Sequence, residues 1–177
     1  MTFHETKLSG VFEIGLNPNH DKRGFFARSW CQKEFQNHGL SSKIVQCSVS
    51  LSLLKGTLRG LHYQVAPYLE TKVVRCTKGA IYDVVVDLRL ESETFRDWLG
   101  VVLTAADRNM LYVPEGCAHG FLTLEDETEV FYQMSEFYDP ESARGVRWDD
   151  PAFQIAWPGL VRVISDRDQS YPNFVEM

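Results

Sequence analysis

Two short runs of the sequence carry groups suited to proton transfer or metal ligation. They are Arg59-Gly60-Leu61-His62-Tyr63-Gln64 and Pro114-Glu115-Gly116-Cys117-Ala118-His119-Gly120-Phe121. Each supplies one imidazole, the side chain whose charge changes nearest neutral pH. A metal ion asks for three or four ligands, and Cys31, Cys47, Cys76 and Cys117 show no CxxC or other ligand spacing. Two isolated histidines make a poor metal site, so no metal is expected. The remaining reactive groups are a lysine, several tyrosines and aspartates. Alternation along Val130 to Tyr138 places Tyr132 and Tyr138 on one face of a strand; on composition alone they read as ordinary strand aromatics. Arg59 and His62 stand three apart and so fall on opposite faces. A ligand touching both requires the strand to bend or end between them.

The elements that must position these groups are mostly strands. Ile81 to Leu88 is a strand opened by the turn-like Lys78-Gly79, and Lys72 to Cys76 is expected to pair with it as a hairpin. Trp98 to Leu103, Leu111 to Val113, Ala118 to Leu124 and Thr128 to Phe137 add further strands, with Gly, Pro, Asp and Asn between them. The best helix candidate runs from Cys31 to His38 and is stopped by Gly39. The segment from Trp157 onward, containing Pro158 and Pro172, is expected to pack as turns or short helices. Many short strands separated by turns predict an all-β closed barrel or jelly roll. The 177 residues, 44% of them hydrophobic, suffice for one domain spanning 1–177 with a packed core. A net charge of −6 without a basic run excludes nucleic acid as a partner, while a small anion needs only a few local cations. No signal-peptide stretch or membrane-length apolar run is present, and the unpaired cysteines fit a reducing compartment; a soluble cytoplasmic protein is expected.

A histidine on each of two strands, with a Pro-x-Gly turn before the second, resembles the cupin barrel. Metal-binding cupins carry a second histidine beside the first, and Gln64 stands in its place. More specifically, the chain resembles the dTDP-4-dehydrorhamnose 3,5-epimerase family. The matching runs are Asp21 to Phe26, Lys55 to Gln64, Asp83 to Arg89, Pro114 to Phe121, Arg147 to Pro151, Trp157-Pro158 and Ser165 to Asp168, in family order across almost the whole chain. The resemblance implies a cupin-like jelly-roll β-barrel with short peripheral helices, acting as a homodimer on a nucleotide-diphosphate 4-keto-6-deoxyhexose without metal or organic cofactor. The C3 and C5 protons of such a sugar flank the C4 ketone, so removal of either gives an enolate.

By the same resemblance His62 matches the base and Asp168 its carboxylate partner. Lys72 matches the cation at the C4 oxygen, and Tyr132 the acid on the opposite face. Arg59 and Arg23 match residues gripping the diphosphate, Arg23 reaching in from the partner subunit. Phe26, Gln46, His119, Tyr138 and Arg167 fall at further ligand-contact positions. Plainer alternatives are a solvated tail charge for Asp168, an edge-strand lysine for Lys72 and a core histidine satisfied by backbone for His119. Departures cluster at the nucleotide end: Arg28 replaces a glutamate, Ser48 an asparagine and Ala143 a glutamate, while Arg167 replaces a lysine. Lost carboxylates and a gained arginine point to a nucleotide other than thymidine, such as CDP or GDP. The competing readings are a sugar 3,4-ketoisomerase, a non-catalytic nucleotide-sugar-binding cupin and, remotely, a metal-dependent oxygenase.

Overall fold

A computed structural model describes residues 1–175. The strands are β1 (Thr2–Glu5), β2 (Phe12–Gly15), β3 (Asn19–Asp21), β4 (Gly24–Phe26), β5 (Gln46–Ser52), β6 (Leu58–Gln64), β7 (Lys72–Lys78), β8 (Ala80–Asp87), β9 (Trp98–Thr104), β10 (Met110–Val113), β11 (Cys117–Thr123), β12 (Thr128–Met134) and β13 (Ala143–Gly145). Two short helices, α1 (Gln32–Asn37) and α2 (Asp166–Ser170), complete the fold. One sheet runs β1-β2-β10-β7-β12-β5, the other β13-β6-β11-β8-β9, and β3–β4 is a separate hairpin. This is a cupin-like jelly roll.

The inner faces of the two sheets meet in a core that includes Val74, Cys76, Ile81, Val85, Leu103, Leu111, Phe121 and Val130. Burial of each such aliphatic side chain is worth roughly 1.5–3 kcal/mol. The outer face of the five-stranded sheet is covered by the C-terminal segment, with Val84, Val86 and Ala118 against Val146, Phe153 and Trp157. Strands β8 and β11 are therefore covered on both faces, which explains their nearly unbroken apolar runs. Helix α1 covers part of the other sheet, seating Phe35 on Ile14, Val73, Met110 and Tyr112.

The expected hairpin of β7 with β8 does not form. Strand β7 pairs with β10 and β12, whereas β8 pairs with β9 and β11. The chain switches sheets at Gly79, which adopts φ +77° and passes so close to Thr128 that a Cβ would lie 2.6 Å from its Oγ1. The two strands then face each other through side chains, Val74 and Cys76 sharing one core with Ile81 and Val85. Strand β12 ends at Met134, so Tyr138 lies beyond the regular alternation that put it beside Tyr132. The helix expected from Cys31 to His38 and the short helix expected in the tail are both present, as α1 and α2.

Candidate functional site

Strand β5 alternates with reversed polarity. Cys47, Val49 and Leu51 are exposed, while Gln46, Ser48, Ser50 and Ser52 turn inward. Those polar residues help to line two adjoining cavities between the sheets. The larger, about 600 Å³, is bounded by Arg59, His62, His119 and Phe121 from the five-stranded sheet, and by Ser50, Lys72 and Tyr132 from the six-stranded sheet. Ser165, Arg167 and Asp168 at α2 also line it. The smaller, about 320 Å³, shares His62, Lys72, Tyr132 and Arg167, and adds among others Gln46, Ser48, Glu70, Tyr138, Ala143 and Arg144.

Arg59 and His62 reach the same cavity because β6 carries a bulge. His62 pairs with His119, but Arg59, three residues earlier, pairs with Phe121, two residues later. The extra residue flips the alternation. Gly60 sits at φ +131°, where a Cβ would come within 2.5 Å of the Gly120 Cα, so the bulge needs glycine at this position. Its backbone N–H is turned out of the ladder and donates to Asp168 Oδ2 at 3.1 Å.

Asp168 Oδ1 is 2.7 Å from His62 Nε2. The carboxylate is buried, at 4% exposure, and α2 is capped in front of it by Ser165, whose Oγ accepts from the Asp168 N–H. Burial opposes its charge, but the His62 ring, the Gly60 N–H and the Ser165 hydroxyl together outweigh that and hold the carboxyl below the usual carboxylate range. An ionised Asp168 accepts from Nε2–H, which leaves Nδ1 as the basic nitrogen of a neutral His62. Tyr171 packs edge-on against the same ring, centroids 6.1 Å apart.

On the opposing sheet the Tyr132 hydroxyl lies 3.0 Å from Ser50 Oγ. Burial pushes this phenol well above its ordinary pKa, the Ser50 contact only partly offsetting it, so it stays protonated at neutral pH. Lys72 Nζ pairs with Glu70 Oε1 at 2.9 Å and donates to the His62 carbonyl at 3.3 Å. His119 is neither exposed nor satisfied by backbone: its Nε2 is 2.8 Å from Asp83 Oδ1, and its ring stands edge-on to Tyr132. Arg59 is steadied by Ser52 Oγ and the Leu51 carbonyl. Among the described residues, no group of three or more His, Cys, Asp or Glu is arranged to hold a metal ion.

The sequence profile of the family described as dTDP-4-dehydrorhamnose 3,5-epimerase matches residues 5–176. The chain belongs to this family. The dTDP-4-dehydrorhamnose 3,5-epimerase of Shigella flexneri is 45% identical over 177 residues, covering 99% of this chain and 97% of that protein. The crystal structure of the Bacillus anthracis dTDP-4-dehydrorhamnose 3,5-epimerase with TDP and PPi bound is 39% identical, has a TM-score of 0.94, and covers 98% of this chain and 99% of that one. A 3'-monoepimerase from Streptomyces bikiniensis in complex with dTDP-quinovose is 32% identical, with a TM-score of 0.88 and coverage of 96% and 86%.

Within this epimerase-family chain, three residues expected at the ligand line neither of these two cavities. Arg23 and Phe26 belong to the β3–β4 hairpin. Arg23 is paired with its neighbour Asp21, and its side chain is 82% exposed; Phe26 is also exposed. Arg28 is ion-paired with Glu34, which also binds the N-terminal amine. Of the four departures, Ser48, Ala143 and Arg167 line the smaller cavity, but the charge reversal expected from Arg28 is absent from it because Glu34 takes up that charge. One further residue, Glu70, has no signal in the sequence, and Gln64 has a role other than standing where metal-binding cupins carry a histidine. Glu70 enters the site from the loop before β7. Gln64 is a strut: its amide donates to the Tyr68 and Phe137 carbonyls and its oxygen accepts from the Asp139 N–H.

Proposed function

We propose that this chain inverts C3 and C5 of a dTDP-linked 4-keto-6-deoxyhexose through enolate intermediates. The observation that carries the reading is that an imidazole and a protonated phenol, from opposing sheets, line one cavity together with an ammonium. In this mechanism His62 Nδ1 removes the proton next to the ketone, and the C–H electron pair moves onto the C4 oxygen. Asp168 stabilises the imidazolium so formed. A Lys72 N–H stabilises the enolate oxygen, an effect of the kind worth about 10²–10³-fold per donor elsewhere. Tyr132 then delivers a proton to carbon on the other face, and the configuration is inverted.

Arg59 and Arg167, which carry no carboxylate partner among the described residues, suit the diphosphate. Gln46, Ser48 and Tyr138 suit the base end, and His119 closes the sugar end beneath Tyr132. The active unit is a homodimer in which Arg23 and Phe26 of one hairpin enter the partner's site. The exposed apolar row Val49, Leu51, Leu53 and Leu54, together with the projecting hairpin, supports this assembly.

Incubation with dTDP-4-keto-6-deoxyglucose in heavy water tests the reading. NMR is expected to locate deuterium at both C3 and C5 of the product. Deuterium at one carbon alone would make the protein a monoepimerase, and none at either would refute the reading. Calorimetry with dTDP, CDP and GDP tests the nucleotide; preference for CDP or GDP would restore the expectation drawn from Ser48 and Ala143.

A further inference from the structure

We infer that Glu70 is a positioning residue that aims the Lys72 ammonium at the reacting carbonyl and withholds it from the diphosphate. The inference rests on the role proposed above for Lys72. An ammonium has three N–H donors. One is taken by Glu70 Oε1 at 2.9 Å and one is directed at the His62 carbonyl at 3.3 Å, leaving a single donor for the cavity. Two fixed contacts on a flexible stem determine where the third points.

The loop that carries Glu70 is itself held on both sides. Gln64 clamps the loop at the Tyr68 carbonyl, and the next residue, Thr71, exchanges hydrogen bonds with Ser135, its N–H reaching Ser135 Oγ at 2.7 Å. The side chains of Lys72 and Glu70 are only 12% and 11% exposed, so the ion pair is largely shielded from solvent and stays formed without substrate.

The pairing also sorts the cations of the site. Lys72 is neutralised by Glu70, whereas Arg59 and Arg167 have no carboxylate partner among the described residues. A diphosphate entering the cavity is therefore drawn to the arginines, and the paired lysine is left to donate to a neutral carbonyl. Glu70 thereby sets which end of the nucleotide sugar meets which cation.

The test compares Glu70→Ala, Glu70→Asp and Glu70→Gln in the full-length protein, following kcat, KM and dTDP affinity. Loss of aim is expected to lower kcat about 10²-fold in Glu70→Ala, the scale of an ångström-sized misplacement, with dTDP affinity preserved or raised because the freed ammonium is no longer withheld from the diphosphate. Glu70→Gln, whose amide oxygen still accepts from Nζ, should recover most of the rate. Glu70→Asp, one methylene short, should not, and it serves as the deciding variant if the alanine form does not fold. Wild-type kcat in Glu70→Ala or Glu70→Asp, or a fall in dTDP affinity parallel to kcat, would overturn the inference. An inactive wild type, or an unimpaired Lys72→Ala, would instead overturn the parent reading of the site.

Discussion

Replacing Asp168 by asparagine keeps the shape of the side chain and is expected to harm the reaction more than replacing it by alanine. The two carboxylate oxygens have different partners: Oδ1 faces His62 Nε2 at 2.7 Å and Oδ2 accepts from the Gly60 N–H at 3.1 Å. In Asp168→Asn the amide oxygen is claimed by the Gly60 donor, because leaving that buried N–H opposite an NH₂ costs about 1–3 kcal/mol. The NH₂ then points at His62 Nε2, which must accept and so shifts the ring proton to Nδ1. The base has lost its lone pair. A wrong tautomer of this kind costs about 10⁴-fold in the serine-protease triad.

For the His62 ring, Asp168→Ala removes only the charge-assisted bond, while the Gly60 N–H also loses its acceptor, which weakens the fold rather than changing the tautomer. Such bonds are worth about 1.5–3 kcal/mol. The low end applies here, because the His62 side chain is 41% exposed and solvent replaces part of the stabilisation. The expected loss is therefore about 10- to 30-fold. The assay is single-turnover deuterium uptake from heavy water, with dTDP affinity measured alongside. The ordering wild type > alanine > asparagine, with affinity unchanged, is expected. An asparagine variant as active as the alanine variant would refute the tautomer argument, and one as active as wild type would refute the base assignment.

Tyr132→Phe should lower product formation by about 10²–10⁴-fold while deuterium still enters the recovered substrate, because His62 can remove and return a proton on its own face; inversion at the wild-type rate would contradict this. Acid stability should depend on Asp87, which is fully buried and accepts from Arg89, Ser92 and Thr94. Burial alone would raise its pKa, but these bonds prevail and lower it from 3.8 to about 2. A depressed carboxylate stabilises the fold above its unfolded pKa and loses that contribution as pH falls towards the folded value. About 2 kcal/mol should disappear between pH 4 and 2, and Asp87→Asn should flatten that part of a denaturation profile; an unchanged profile would count against it. Arg23→Ala should weaken dTDP binding about 10-fold or more without lowering the melting temperature, while sedimentation still reports two chains; an unaltered affinity would remove the hairpin from the site.

His62, Lys72, Tyr132, Asp168, Arg59 and His119, singled out through the family resemblance, all line one cavity; Lys72 and Tyr132 lie outside the short motif runs and by themselves read as an edge-strand lysine and a strand aromatic. The bulge answers to one of two alternatives open in the sequence, that the strand bends or that it ends between Arg59 and His62. Strand β5 was missed because its alternation is inverted, with apolar residues outward and serines inward, so burial of apolar groups was the wrong guide. The β7–β8 pairing failed because a Gly turn between two strands signals a reversal but does not say whether backbone or side chains will face each other. Glu70 lay in an irregular loop, and only its tertiary contact with Lys72 gives it meaning. Arg28 is placed by position alone; the charge of its partner Glu34, six residues on in the first turn of α1, opposes that of the arginine just before the helix.

The mechanism requires a hexose ring held between His62 and Tyr132. The most direct measurement is a crystal structure with an unreactive dTDP-hexose. It should show C3 and C5 facing the His62 imidazole on one side and the Tyr132 hydroxyl on the other, with the C4 oxygen within hydrogen-bond reach of Lys72 Nζ. A ring bound with both residues on the same face, or lying outside the cavity they line, would contradict it.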